Sequence, residues 1–176
     1  CTVPGHRQMG MVLDVVADRR ITFAAPVQTG IGIGQGWIAM GVRGGRLGIS
    51  RTDGTNSRMV ELGGLKAVDT TPVLQNGRVF FLTNENTVEC LPAETSVATN
   101  GWPVSLPGGA ATELVAGEGR ICVVDRDFVL HCWEQSTGGP LWTLSLDSAP
   151  SGPPTIERRQ TYIGTQDGRV FLVDAA

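Results

Sequence analysis

Few residues in this chain have side chains reactive enough for catalysis. There are four cysteines (Cys1, Cys90, Cys122 and Cys132) and two histidines (His6 and His131). No two cysteines share a C-x-x-C spacing, so structural zinc and thioredoxin-type exchange fail on geometry. His6 and His131 build no metal site between them, and no G-x-S-x-G elbow presents a nucleophilic serine. The run "GIGIGQG" at residues 30–36 departs from the G-x-G-x-x-G spacing of a dinucleotide loop and leads into a strand pattern, not a helix. Its glycines are expected to let an innermost strand pack closely. Asp125 and Asp127 flank one turn, with Glu85 and Asp167 in the column of Asp127. Such turns are solvated tips or, as a ring, an attractor for a cation or a basic peptide. No catalytic set emerges, and the expectation is a protein that is not an enzyme and holds no cofactor.

Composition points to many short strands. The chain has 176 residues, 24 Gly and 10 Pro beside runs of Val, Ile, Leu and Thr, a usage that favours strands separated by tight turns. No apolar run of about 18 residues exists to form a transmembrane helix. A formal charge of −3 with dispersed Lys and Arg lacks the basic stripe of a nucleic-acid partner.

The chain is periodic. The segments "GWIAMGVRGGRLGIS" from Gly36, "GRVFFLTNENTVECL" from Gly77, "GRICVVDRDFVLHCW" from Gly119 and "RQTYIGTQDGRVFLV" from Arg159 begin 41, 42 and 40 residues apart. Each is an apolar run, a four-residue polar turn and a second apolar run. Gly45, Asn86 and Gly168 end three of the turns and tolerate a left-handed backbone. Phe128 ends the other, which suggests another turn or register there. The remaining residues of each period supply two more strands, such as "SRMVEL" and "TPVLQ". Four short strands per period of about 40 residues describe a β-propeller blade. The fold class is therefore all-β, a propeller of four-stranded antiparallel blades, about four per chain.

Residues 132–142, "CWEQSTGGPLW", carry a sharper signal. They resemble the repeat of quinoprotein-type propellers, in which an Asp-rich strand end leads into Thr-Gly, three variable residues and Trp. Thr137, Gly138 and Trp142 fit, Glu134 stands where Asp is usual, and Asp174 in "DGRVFLVDAA" takes the Asp place of the last repeat. Trp102 in "NGWPVSL" stands at a comparable place without Thr-Gly. The resemblance implies a blade-docking role for Trp142, Trp102, Thr137 and Gly138. The divergent repeats are closer to outer-membrane-assembly lipoprotein propellers than to quinone-dependent dehydrogenases, whose vicinal cysteine pair is absent. It thus implies a scaffold or binding module that offers loops or an axial cavity to a protein or peptide. A cofactor-binding fragment of a redox enzyme and an oligomerising surface domain are the alternatives.

The repeat boundaries read as a tether over 1–8, later strands of a shared blade over 9–35, blades over 36–76, 77–118 and 119–158, and early strands of a shared blade over 159–176. The two ends complement each other. The ring then closes within one chain as four blades, two chains share end blades as a homodimer of eight, or the chain is a fragment that needs a missing partner. Where closure fails, unpaired edges would invite aggregation. Cys122 and Cys132 face each other across a hairpin, as a disulfide or as two buried thiols; Cys90 reads as a small core residue. Cys1 followed by Thr2 resembles a processed bacterial lipoprotein and is a candidate lipidation site, a fragment boundary being the other reading. An extracytoplasmic location, periplasmic or tethered to the outer membrane, follows from that resemblance, with a cytoplasmic one left open.

Overall fold

The computed structural model describes residues 20–97, 99 and 101–174. Their strands form four antiparallel sheets in chain order, with no helix among the described residues. The first sheet holds β1 (Gly32–Gly34), β2 (Trp37–Val42), β3 (Arg46–Arg51) and β4 (Arg58–Glu61). The second holds β5 (Val73–Gln75), β6 (Arg78–Leu82), β7 (Thr87–Pro92) and β8 (Val104–Ser105). The third holds β9 (Val115–Gly117), β10 (Arg120–Val124), β11 (Val129–Glu134) and β12 (Pro140–Ser145). The fourth has three strands, β13 (Thr155–Glu157), β14 (Gln160–Gly164) and β15 (Val170–Asp174), and β15 is its edge. The all-β, four-blade architecture is as expected from the period.

The blades begin one strand earlier than the repeat boundaries at 36, 77, 119 and 159. Segments such as "TPVLQ" do not close a blade; β5 pairs with β6 and opens the next one. The reason lies in two-residue turns. Gln35 and Gly36 have φ of 51° and 77°, Asn76 and Gly77 52° and 69°, Glu118 and Gly119 48° and 80°, Arg158 and Arg159 50° and 66°. Two consecutive positive φ values make a type I′ turn, whose twist matches that of the strands it joins. The following hairpins turn through Gly45, Asn86, Phe128 and Gly168, at φ of 70°, 57°, 61° and 86°. Phe128 thus takes the left-handed conformation despite its bulk. Its hairpin keeps the common register, Val124 opposite Leu130 as Leu82 is opposite Val88 and Gly164 opposite Val170.

Side chains alternate across a strand, so each blade has two faces, and both are apolar. Ala39 and Ile49 of the first blade meet Val79, Phe81 and Leu91 of the second. Phe80 and Cys90 on the second blade's other face meet Ile121, Val123 and Trp133. Cys122 and Cys132 meet Ile163 and Phe171 of the fourth. The innermost strands touch in succession, β1 with β5, β5 with β9 and β9 with β13, while β13 and β1 share no contact of that extent. Glycine makes the first approach feasible: a Cβ on Gly32 would lie 1.9 Å from the Pro72 carbonyl oxygen. The four blades form an open arc.

Connections between blades follow one pattern. Isolated bridges join Val68 to Thr83, Ala110 to Asp125 and Pro150 to Thr165, tying each outgoing linker to the blade it enters. Val27 bridges Val42 in the same way. Residues 20–31 otherwise form no strand. The expected tether over 1–8 and the strand expected at 11–16 lie outside the described residues.

Phe80 is fully buried at the seam between the second and third blades. Phe80→Ala should lower stability by about 3–5 kcal/mol, read as a fall in the urea midpoint at constant m-value.

Candidate functional site

The residues singled out by the repeat gather at the seams between blades. Trp102 is 7% exposed and meets the Phe80 ring edge-on, centroids 5.5 Å apart at 66°. Thr137 and Gly138, on the third blade, press against the chain beside it. A Cβ on Gly101 would lie 1.5 Å from the Thr137 carbonyl oxygen, and one on Gly138 2.4 Å from the Gly101 carbonyl oxygen. Trp142 lies in β12 opposite Cys132 and packs, half-buried, against the core shared by the third and fourth blades. The structure therefore brings Trp102, Thr137 and Gly138 together at one seam and sets Trp142 at the next.

The first blade fills that column with a different chemistry. Arg58 stands opposite Ile49, as Trp142 stands opposite Cys132. Its guanidinium donates to the carbonyls of Pro92 at 3.2 Å and Thr95 at 2.9 Å on the second blade. Arg51 lies over the Trp37 ring at 4.3 Å, a cation–π contact. Nothing in the sequence of "SRMVEL" marked Arg58 as a docking residue; the signal was its place in the column, hidden by a one-residue offset from Trp142.

Thr137 also orders the turn it begins. Its hydroxyl donates to Glu134 at 2.6 Å and accepts from the Gly139 amide at 3.1 Å. Hydrogen bonds from Thr137 and then Ser136 hold the exposed Glu134 carboxyl below the usual range.

Cys122 and Cys132 do face each other, with Sγ atoms 2.8 Å apart, both buried and both thiols. The Cys132 thiol, then burial, push Cys122 far above the ordinary thiol range. Cys90 is buried too, and desolvation raises it to about 11 despite the Thr99 hydroxyl and Arg78. Neither site has the electropositive, accessible surroundings of a reactive cysteine.

Asp125 is not a solvated turn tip. It is 4% exposed, and one carboxylate oxygen accepts from the amides of Asp127 at 3.0 Å and Val129 at 2.8 Å. The other lies 2.7 Å from His131 Nε2, and the His131 ring stacks on Trp133 at 5.5 Å and 7°. His131 therefore has a specific partner, which its place in the strand did not reveal. Thr83 and Thr165 occupy the Asp125 column and staple their own turns, to Thr87 at 2.7 Å and Asp167 at 2.5 Å. Two other acidic turn residues pair with cations: Glu85 with Lys66 at 3.9 Å and Asp167 with Arg169 at 3.4 Å. Glu89, 2.7 Å from Lys66, raises the lysine above its usual range. No group of three His, Cys, Asp or Glu suited to a metal occurs among the described residues. Cys1 and His6 lie outside them.

One recess of about 250 Å³ lies between the second and third blades, lined by Asn76, Arg78, Gly119, Glu134, Gln135 and Ser136. Its polar groups are engaged in holding the blades together. Arg78 donates to the carbonyls of Gln135 and Ser136 at 2.9 and 3.0 Å, Asn76 to Gln135 Oε1 at 3.1 Å, and Gln135 to the Gln75 carbonyl at 3.2 Å.

Antiparallel blades docked face to face in succession define the β-propeller fold. Residues 98–176 match the family described as outer membrane protein assembly factor BamB. No curated protein sequence matches the chain. Among solved structures, BamB from Moraxella catarrhalis superposes with a TM-score of 0.68 at 20% identity, over 85% of this chain and 47% of that one. The chain thus spans about half the length of that propeller. The computationally designed Ika4 protein superposes with a TM-score of 0.69 at 16% identity, over 88% of this chain and 94% of that one. At such identities the likeness is one of fold.

Gly138 has φ of +70° as well as the tight approach to Gly101. Gly138→Ala should cost about 1–3 kcal/mol, measured by urea unfolding, whereas Gly139→Ala, with only Thr137 Oγ1 nearby at 3.1 Å, should cost less. With its pKa near 11, Cys90 at pH 8 should react with iodoacetamide about 100-fold more slowly in the folded protein than in urea, through its smaller thiolate fraction. Mass-mapped labelling reads both rates.

Proposed function

We propose that this chain is a non-catalytic scaffold, half of an eight-bladed ring closed by a second copy, which offers its turn faces to a protein or peptide partner outside the cytoplasm. The observation that carries the reading is the bare face of the last blade. Leu47, Val88 and Leu130 occupy one column and are fully buried against a following blade, while Val170 in that column is 73% exposed. Ile49, Cys90 and Cys132 are 0–2% exposed, and Leu172 is 55%. At the other end of the arc Ile33 is 72% exposed, in the strand position where Leu74 and Ile156 pack against a preceding blade. One chain carries both halves of a seam, so a copy of itself is a sufficient partner. The match of residues 98–176 to an assembly factor supports the scaffold reading and the extracytoplasmic location. An anchor at Cys1 would tether such a ring to a membrane surface.

Light scattering should give twice 18.6 kDa; a stable mass of 18.6 kDa removes the paired ring. Pyrroloquinoline quinone with calcium should leave the melting temperature and absorbance unchanged. Saturable quinone binding would turn the reading towards a redox fragment.

A further inference from the structure

We propose that Cys122 and Cys132 are a disulfide-forming pair: an oxidant of the disulfide class joins them across the β10–β11 hairpin, and the docked fourth blade then seals the bond. Their place in the register carries this inference. Cys122 lies opposite Cys132. At one end of the hairpin the Asp125 amide donates to the Val129 carbonyl, and at the other the Gln135 amide donates to the Gly119 carbonyl. Hydrogen-bonded and non-hydrogen-bonded pairs alternate between these ends, and the count from either end places the cysteines at a non-hydrogen-bonded pair. There the Cα atoms approach to about 4.5 Å, within the roughly 4.4–6.8 Å that a disulfide spans. Both side chains are on one face of the sheet, and their sulfurs are in contact.

Sister blades fill the same position differently. Ala39 stands with Ile49, Phe80 with Cys90 and Tyr162 with Leu172, so every other pair includes a large side chain. Packing against a neighbouring blade asks for volume, which those side chains supply; it does not ask for two sulfurs. Among the described residues neither cysteine has a rival partner. Cys122 and Cys132 face Ile163 and Phe171 of the fourth blade, whereas Cys90 packs with Ile121, Val123 and Trp133 on the third blade's opposite face.

Once the fourth blade is docked, the thiols are out of reach. They are 0% and 1% exposed, and exchange needs both a thiolate and access to the oxidant's sulfur. The Cys132 thiol, then burial, also hold Cys122 far above the ordinary thiol range. Oxidation therefore belongs to states in which the fourth blade is undocked. One cysteine, as its thiolate, attacks a sulfur of the oxidant, forming a mixed disulfide and releasing one thiolate of the oxidant. The hairpin brings the other cysteine opposite; it loses its proton to water and attacks the protein-side sulfur of the mixed disulfide. The Cys122–Cys132 bond forms as the second oxidant thiolate leaves. Two protein thiols thus lose two electrons and two protons, and one disulfide is reduced to two thiols. The hairpin needs only contacts local in sequence, so it pairs before Ile163 and Phe171, from later in the chain, close over it.

The test takes the full chain carrying Cys1→Ser, reduced and unfolded in urea, and refolds it by dilution with glutathione disulfide as the oxidant. After quenching with N-ethylmaleimide in urea, a peptide map should join Cys122 to Cys132 within a monomer, with Cys90 outside any protein disulfide. Free or glutathione-bearing Cys122 and Cys132 overturn the proposal, and so does a bond from either to Cys90. Given the same oxidant, the folded reduced chain should form the bond at least tenfold more slowly, and sub-denaturing urea should raise that rate. A folded chain that oxidises as fast as the refolding one, or at a rate indifferent to urea, overturns the sealing by the fourth blade.

Discussion

A four-stranded blade with apolar side chains on both faces cannot satisfy itself, and the structure depends on this constraint. The strand period of two sends Phe80 forward and Phe81 backward from the same strand, and both are fully buried because a blade stands on either side. Burial of one such side chain contributes about 1.5–3 kcal/mol, so each seam with its several large side chains outweighs any single contact within a blade. Stability in such an array resides in the interfaces between neighbours. That is why the close approaches, Gly32 beneath Pro72 and Gly138 against Gly101, fall at seams.

Polar groups at the rims fix how each blade is rotated relative to the next. The first residue of a type I′ turn reaches across to the following blade: Gln35 accepts from the Gly77 amide at 2.8 Å, and Glu118 accepts from the amides of Arg158 and Arg159. Arg120 returns the contact by donating to the Arg159 carbonyl at 2.6 Å. The left-handed backbone at these turns costs some energy for non-glycine residues. The clasps offset that cost by tying each turn to the following blade. Apolar faces supply the attraction between blades, and these directional bonds select the angle.

Much of this was readable from the chain because repetition amplifies weak signals. A single "GRVFFLTNENTVECL" is merely a hairpin; four of them at intervals of about 41 residues are a propeller. Blade phase was harder to read. The innermost strands have three residues each, too short to show alternation, and so "TPVLQ" reads equally well as an end or a beginning. Asn76-Gly77, a strong I′ hairpin signal, held the answer in one repeat, while Glu118-Gly119 and Arg158-Arg159 concealed it in others. Asp125 was misread for a related reason. Acidic residues in turns are usually solvated, and only the register that brings His131 beneath the turn shows that this one is buried.

The chemistry of the candidate residues and the shape of the arc bear on one question, where a partner can be engaged. Each reactive group among those discussed is absorbed by its own neighbourhood: Asp125 by two amides and His131, Cys122 by Cys132, Arg78 by two carbonyls of the next blade. The Arg78 contacts hold the second and third blades together, while those of Asp125 and Cys122 order the third blade itself. Apolar residues at the ends of the arc have no such engagement with a neighbouring blade. Val170, Leu172 and Ile33 lie in columns buried elsewhere in the chain, so their exposure follows from position in the array and not from composition. The surface with most to gain from a partner is therefore the one that the fold itself repeats internally three times.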